Sequence, residues 1–122
     1  MSAEENKDII RRFYEEVWDR ANIAAVDDLF ADDFVNHNPS FGLPGNREGF
    51  KQYVTRLRNR FSYRPTIEEL IEERDKVVVR LTGHGRLKRR FMGITLIDRR
   101  FAEPVIIVWR IADGKIVERW ST

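Results

Sequence analysis

At 122 residues, with 42% hydrophobic and 11% aromatic residues, the chain is long enough for one domain with a core and a small cavity. The charged fraction is 34% but the net charge is only +2, so the overall charge gives no indication of nucleic-acid binding. The lack of cysteine excludes disulfides, thiolate catalysis and cysteine metal sites. No apolar run is long enough to span a bilayer and the first residues are polar and acidic, unlike a signal peptide, so we expect a cytoplasmic protein with a single domain, residues 1–122.

The first half of the chain predicts three helices. Ser2 and Glu5 have the spacing of a capping box, while Asn22 and Asn46 can cap a short second helix and a third helix. Residues 36–45 are rich in Pro, Gly, Asn and Ser, which is typical of a loop. The apolar faces of the three helices, at helical spacing, are Ile9, Ile10, Phe13, Tyr14, Val17 and Trp18; Ala25, Val26, Leu29 and Phe30; and Phe50, Tyr53, Val54, Leu57 and Phe61.

The second half predicts antiparallel strands. Asp113 and Gly114 separate two β-branched, tryptophan-containing segments, a pattern typical of a hairpin with a two-residue turn. Helices grouped before strands favour an α+β fold over an alternating α/β fold. The predicted strands are 66–73, 76–86, 89–97, 100–111 and 115–121.

Five segments follow one another along the chain: 12–18 (RFYEEVW), 34–39 (FVNHNP), 45–50 (GNREGF), 91–94 (FMGI) and 111–120 (IADGKIVERW). Together they resemble the SnoaL-like polyketide (ester) cyclases, a family of the nuclear-transport-factor-2-like superfamily. The resemblance implies a cone-shaped, curved antiparallel sheet packed on three N-terminal helices, with an apolar pocket at the open end. It also implies a cyclase or isomerase reaction without metal or organic cofactor, in which a carboxylate removes a proton next to a carbonyl group.

The resemblance supports two catalytic candidates and leaves other family positions unmatched. His37 lies where the family commonly has a polar His or Asp, and Tyr14 lies where the distantly related ketosteroid isomerases have a tyrosine that donates to an enolate oxygen. Residues 95–98 replace the usual Pro-Thr-Gly turn, and the segment that carries the catalytic aspartate in many cyclases would follow Thr122. Where the cyclases usually have His, Asp and His, this chain has Leu87, Ile107 and Arg119.

Glu103 is the candidate catalytic base. Alternate residues of a strand share one face, and Glu103 begins a row that is otherwise apolar, namely Val105, Ile107, Trp109 and Ile111. If this row faces the pocket, Glu103 is a carboxylate in a poorly solvated place, and desolvation strengthens it as a base. The alternative is a glutamate before a proline at the exposed end of the sheet.

The remaining candidates divide into ligands, binding residues and core. His37 is alternatively a loop histidine bonded to backbone, and His84 is expected on the polar face of its strand. Two histidines on different elements do not provide the three or four ligands of a zinc site, so we expect neither metal nor cofactor. The predicted substrate-binding residues, which could equally be plain core, are Trp18, Phe34, Phe41, Tyr53, Leu57, Phe61, Leu87, Phe91, Ile107, Trp109 and Trp120.

The expected partner is a small apolar carbonyl compound, and we expect no nucleic acid and no membrane. The basic residues between Arg86 and Arg100 could meet phosphates, but the acidic residues between Glu68 and Glu73 are expected to pair with them across the sheet. A homodimer is expected through the outer face of the sheet, with contacts from Arg80, Thr82, Ile106 and Val108. The alternatives to a catalyst are a non-catalytic binding protein and an engineered version of the same scaffold.

Overall fold

The computed structural model describes residues 2–122. The first helix, α1, spans Ala3–Phe13 and continues without a break into a π-helical turn, Tyr14–Asp19. It is followed by α2 (Ala25–Leu29), strand β1 (Phe30–Asn36) and α3 (Arg47–Phe61). Within the described part of the chain, no helix combines the length and the apolar composition needed to cross a membrane.

Two of the three predicted helix caps are confirmed. The Ser2 side chain accepts a hydrogen bond from the Glu5 backbone N–H at 3.2 Å, and Asn46 Oδ1 accepts one from the Gly49 N–H at 2.8 Å. The prediction for Asn22 is wrong, since α2 begins only at Ala25 with Ala24 as its N-cap. The Asn22 amide instead donates to a Glu16 carboxylate oxygen, and α2 has no side-chain cap.

The remaining four strands complete one sheet in the order β1-β5-β4-β3-β2. They are β2 (Arg64–Glu73), β3 (Lys76–Phe91), β4 (Ile94–Ala112) and β5 (Lys115–Ser121). All neighbours are antiparallel except β1, which pairs parallel with β5. The structure thus confirms an α+β fold in which a curved, open and mainly antiparallel sheet packs on a cluster of N-terminal helices.

The region 76–111 contains two long strands rather than the three that were predicted. The expected break near Leu87 does not occur, because Leu87 pairs with Arg99 and Lys88 with Asp98 in a continuous β3–β4 ladder. The chain reverses once, at Met92 and Gly93, both of which have positive φ angles (52° and 78°). Residues 86–100 therefore form the outer part of a single hairpin.

The predicted pairing between the acids of β2 and the basic run is also wrong. The β2–β3 ladder ends at the pair Arg64–His84, so β2 does not extend alongside residues 86–91. The acidic side chains of β2 instead contact Arg80 and Thr82, and Arg86 forms a two-pronged ion pair with Asp98 at 2.7 Å. The basic run is thus neutralised in part within its own hairpin.

An aromatic cluster holds the helices against the sheet. Phe13 packs edge-on against Trp109 at 5.2 Å between ring centroids, and Phe30 stacks on Phe50 at the same distance. Such pairs add to the free energy of burying the rings. Phe34 contacts both Phe30 and Phe50, so it belongs to the core.

Candidate functional site

A cavity of about 220 Å³ lies between the N-terminal helices and the inner face of the sheet. It is larger than the roughly 150 Å³ that suffices for benzene in an engineered core. The surface has other, larger depressions that are more open to solvent. The wall is formed by Phe13, Tyr14, Trp18, Ser40, Phe50, Tyr53, Tyr63, Pro65, Leu81, Glu103, Val105, Ile107, Trp109, Arg119, Ser121 and Thr122.

Six of the residues predicted for the site border this cavity. Tyr14 and Trp18 come from the π-helical turn after α1, and Tyr53 comes from α3. On β4 the alternation of side chains brings Glu103, Ile107 and Trp109 to the same wall. The structure therefore places Tyr14 and Glu103, two of the three catalytic candidates, around one cavity.

The third catalytic candidate, His37, does not border the cavity. Its ring stacks on Trp120 at 4.8 Å, and its Nε2 lies 2.7 Å from a carboxylate oxygen of Glu118. Hydrogen bonds from His37 and Arg110 hold the pKa of Glu118 below its usual value. Trp120 and Glu118 flank the inward-facing Arg119 on β5, so alternation turns them to the outer face. Among residues 2–122, no group of three or more His, Asp or Glu is arranged to hold a metal ion.

The other predicted binding residues lie away from the cavity wall. Phe41 is exposed near Tyr53 and Arg56, and Phe61 packs against Phe101. Phe91 is 64% exposed at the tip of the β3–β4 hairpin, which extends past the end of β2. The complete set that does not border the cavity is Phe34, Phe41, Leu57, Phe61, Leu87, Phe91 and Trp120.

Glu103 lies at the open edge of the cavity, where its side chain is exposed. The row that Glu103 begins does border the cavity, but the carboxylate is exposed, as in the alternative, and the poorly solvated surroundings are not found. The Tyr63 hydroxyl donates a hydrogen bond to Glu103 at 3.3 Å, and burial together with the Glu103 charge raises the pKa of Tyr63. Gly83 pairs with Glu103 in the β3–β4 ladder and permits this contact, since a Cβ there would lie 1.8 Å from the Tyr63 hydroxyl.

Tyr14 provides a buried hydroxyl with no hydrogen-bond partner among residues 2–122. The residue is only 5% exposed, and burial raises its pKa well above the usual tyrosine value. The nearby Trp109 indole N–H, which does not reach hydrogen-bond geometry, and the Arg119 charge act in the opposite direction. At neutral pH the hydroxyl is therefore protonated and can donate. The Trp109 indole nitrogen is likewise buried and without an acceptor in the described residues.

Arg119 is a cavity residue that the sequence reasoning noted only as a departure from the family pattern. It is 4% exposed, and its Nη1 donates to Asn36 Oδ1 and to Ser121 Oγ, each at 3.2 Å. Its guanidinium carbon lies 5.6–5.7 Å from the ring centroids of Phe50, Tyr53 and Trp109. The cavity thus contains a buried cation as well as aromatic walls.

A bulge hides the orientation of Arg119 from the sequence pattern. Ile116 is buried, and strict alternation would turn a residue three positions further to the opposite face. The β4–β5 register shifts between Arg110 and Ile111, however, and this shift brings Arg119 opposite Trp109 on the inner face. The one available signal was the resemblance, in which Arg119 lies where the cyclases usually have a histidine.

Comparison with known proteins agrees with this architecture. The family model of the SnoaL-like polyketide cyclases matches residues 8–122. The nogalonic acid methyl ester cyclase of Streptomyces nogalater is 35% identical over 94 residues, which cover 75% of this chain and 70% of that protein.

Solved structures extend the likeness to the whole fold. IdmH of Streptomyces antibioticus is 26% identical, with a TM-score of 0.80 over 96% of this chain and 90% of its own. TsrD of Streptomyces laurentii, at 22% identity, shows the same fold with a TM-score of 0.81 over all of this chain and 90% of its own. This chain belongs to the SnoaL-like polyketide cyclase family.

Proposed function

We propose that the protein is an acid–base catalyst of the cyclase or isomerase type that acts on a small carbonyl compound in the cavity, without a cofactor. Family membership supports this type of reaction. The observation that carries the proposal is the position of Glu103 and Tyr14 around one cavity large enough for a small organic molecule. A carboxylate and a protonated phenol are the base and the donor that enolate chemistry requires.

In the proposed reaction, the Glu103 carboxylate takes a proton from the carbon next to the carbonyl group. The C–H electron pair moves into the enolate, and the Tyr14 hydroxyl donates a hydrogen bond to the oxygen that gains negative charge. In an isomerisation, Glu103 returns the proton to a different carbon. In a cyclisation, the enolate carbon attacks a second carbonyl of the same molecule, and the resulting alkoxide receives the proton.

No step is assigned to His37. Its ring is stacked on Trp120 and its Nε2 is engaged by Glu118, both outside the cavity wall. A general acid or base must reach the reacting group directly or through one water molecule. The proposal therefore uses Tyr14 and Glu103 alone.

The test is hydrogen–deuterium exchange of a small enolisable ketone, such as cyclohexanone, followed by NMR in D₂O. Glu103→Gln should lower the exchange rate by at least about 100-fold, since a positioned base contributes roughly 10²–10⁴ in rate. The matched control is Glu73→Gln, which removes an exposed carboxylate at the far end of β2 and should leave the rate unchanged. Equal rates for the wild type and Glu103→Gln would contradict the proposal.

A non-catalytic binding protein is the second candidate, and the exposure of Glu103 favours it. A solvated carboxylate is a weaker base towards carbon acids than a desolvated one. This candidate predicts that cyclohexanone quenches or enhances the fluorescence of the cavity tryptophans, Trp18 and Trp109, while the wild type shows no exchange above the buffer rate.

A further inference from the structure

The cavity wall contains three buried donor groups that form no hydrogen bond to an acceptor among residues 2–122. They are the Tyr14 hydroxyl, the Trp109 Nε1–H and the Arg119 Nε–H. The three residues are 5%, 1% and 4% exposed, and all border the same cavity. Buried donors in folded proteins are nearly always paired, so three unpaired ones around one space indicate an acceptor that enters from outside.

One of these donors also carries a full positive charge. The Arg119 guanidinium forms no ion pair with a carboxylate of residues 2–122, and its hydrogen-bond acceptors, Asn36 and Ser121, are neutral. Three aromatic faces compensate in part for the lost hydration. A buried cation without an anion is nevertheless unfavourable. An anionic ligand beside Arg119 would therefore stabilise the folded protein.

Glu103 does not supply the missing negative charge. It is the one carboxylate among the described residues of the cavity wall, but it lies six residues along β4 from Trp109, the ladder partner of Arg119. Glu103 is exposed and accepts a hydrogen bond from Tyr63, and no ion pair joins it to Arg119, so its charge is solvated rather than held against the cation.

We infer that the cavity binds a small organic acid whose carboxylate is held by Arg119 and Trp109 and whose apolar body lies against the aromatic wall. Arginine is suited to this role because its planar donor fork matches the two oxygens of a carboxylate. The inference deepens the proposed function and rests on its premise that the cavity is the binding site. It names the substrate class as keto acids, with the carbonyl oxygen left to Tyr14.

The experiment compares benzoate with benzamide by isothermal titration calorimetry on the wild-type protein. The two probes have nearly the same shape and differ in charge, so a purely structural arginine gives them similar affinities. The inference predicts that benzoate binds at least about tenfold more tightly, the ratio expected for one charge-assisted contact. Quenching of Trp18 and Trp109 fluorescence should accompany binding, because both rings border the cavity.

Two variants identify the group that distinguishes the probes. Arg119→Met keeps the length of the side chain and removes the charge, and it should reduce the preference for benzoate to less than about twofold. Arg110→Met is the matched control, since Arg110 pairs with Glu118 on the outer face and does not border the cavity; it should keep the wild-type preference. A preserved preference in Arg119→Met would overturn the inference.

The wild-type comparison decides the matter even if Arg119→Met fails to fold. Equal affinity for both probes, tighter binding of benzamide, or no binding of benzoate up to about 10 mM would each overturn the inference. Benzoate binding without ketone exchange would instead overturn only the proposed function. Ketone exchange that benzoate does not inhibit would overturn only the inference.

Discussion

Tyr14 and Arg119 are buried polar residues whose donor atoms the folded chain leaves unpaired. An unpaired buried hydroxyl lowers the stability of the folded state because it has lost its water and found no partner. A ligand that offers an acceptor to such a group offsets this loss of stability, and both residues border the cavity. At this scale, stability and function make opposite demands on the same atoms.

The alkaline stability of the protein should depend on Tyr14. Below pH 10 the phenol is protonated in both states; above it the unfolded chain loses the proton while burial keeps the folded-state pKa higher. The free energy of unfolding should therefore fall as the pH rises above about 10. Tyr14→Phe should show a shallower fall, with an unfolding free energy at pH 7 equal to or above that of the wild type. Urea unfolding at pH 7 to 11 measures both.

Tyr63→Phe is the comparison for that experiment. Burial also raises the pKa of Tyr63, so this variant should lose alkaline sensitivity in the same direction. Tyr63→Phe differs from Tyr14→Phe at pH 7, because loss of the hydrogen bond to Glu103 should lower its free energy of unfolding by about 1 kcal/mol. Identical pH profiles for Tyr14→Phe and the wild type would show that the Tyr14 hydroxyl is solvated in the folded protein.

Sequence reasoning at the residue scale succeeded where simple alternation held. It placed Ile107 and Trp109 on one face of their strand, and these residues do line the cavity together with Glu103. It did not assign Arg119 to the site, and alternation along β5 would not have done so, because the register shift in β4–β5 reverses which residues face inward. It left two alternatives for Glu103, a poorly solvated carboxylate or an exposed one, and solvent reaches the cavity edge where this carboxylate lies.

Strand β3 contributes Gly83 to the site, where the lack of a side chain leaves room for the Tyr63 ring. Gly83 lies beneath the Tyr63 ring, and any Cβ at this position would overlap the ring and its hydroxyl. Gly83→Ala should therefore displace Tyr63 from Glu103 and lower the free energy of unfolding by about 1–3 kcal/mol. In a Tyr63→Ala background the same substitution should lower it by clearly less, because the overlapping ring is gone.

Chemical denaturation of the four proteins in this double-mutant cycle measures the coupling. Additive free energies would indicate that the Tyr63 ring does not rest on Gly83.

The elements that a short sequence pattern marks, such as a turn dipeptide between two strands, were predicted correctly. The Asp113-Gly114 turn has the expected positive φ angles of 52° and 75°, and β5 spans Lys115–Ser121 as predicted. The long β3–β4 hairpin was divided because basic residues interrupt its alternation, although backbone hydrogen bonds do not depend on that alternation. The parallel pairing of β1 with β5 joins distant parts of the chain, and no local pattern indicates it.

For the whole molecule, we propose a homodimer through the outer face of the sheet around Arg80, Thr82, Ile106 and Val108. Ile106 is 46% exposed on this face and pairs with Arg80 in the β3–β4 ladder. An apolar side chain in that position gains free energy when a second sheet covers it. Light scattering coupled to gel filtration should give about twice the chain mass of 14.5 kDa for the wild type and the monomer mass for Ile106→Glu.

Met92→Glu is the control for the dimer experiment. Met92 is 86% exposed at the hairpin tip, away from the proposed contact, so this variant should retain the dimer mass. A monomeric wild type at about 100 μM would contradict the proposed interface.

At this largest scale the fold was predictable because helices grouped before strands permit few arrangements and the five family segments agree with one of them. The cavity was not located by pattern alone, since the aromatic residues divide between core and wall according to tertiary packing. Phe34 and Trp109 are both aromatic residues of predicted core segments. Phe34 is enclosed by other rings, whereas Trp109 borders the cavity.

We propose that the space between the helices and the sheet receives an organic molecule. A crystal structure determined with benzoate is the decisive measurement. We expect density inside the cavity, with the carboxylate within about 3.5 Å of the Arg119 guanidinium and the ring against Trp109. An empty cavity in crystals that contain benzoate, or a cavity closed by the surrounding side chains, would show that this space is not a binding site.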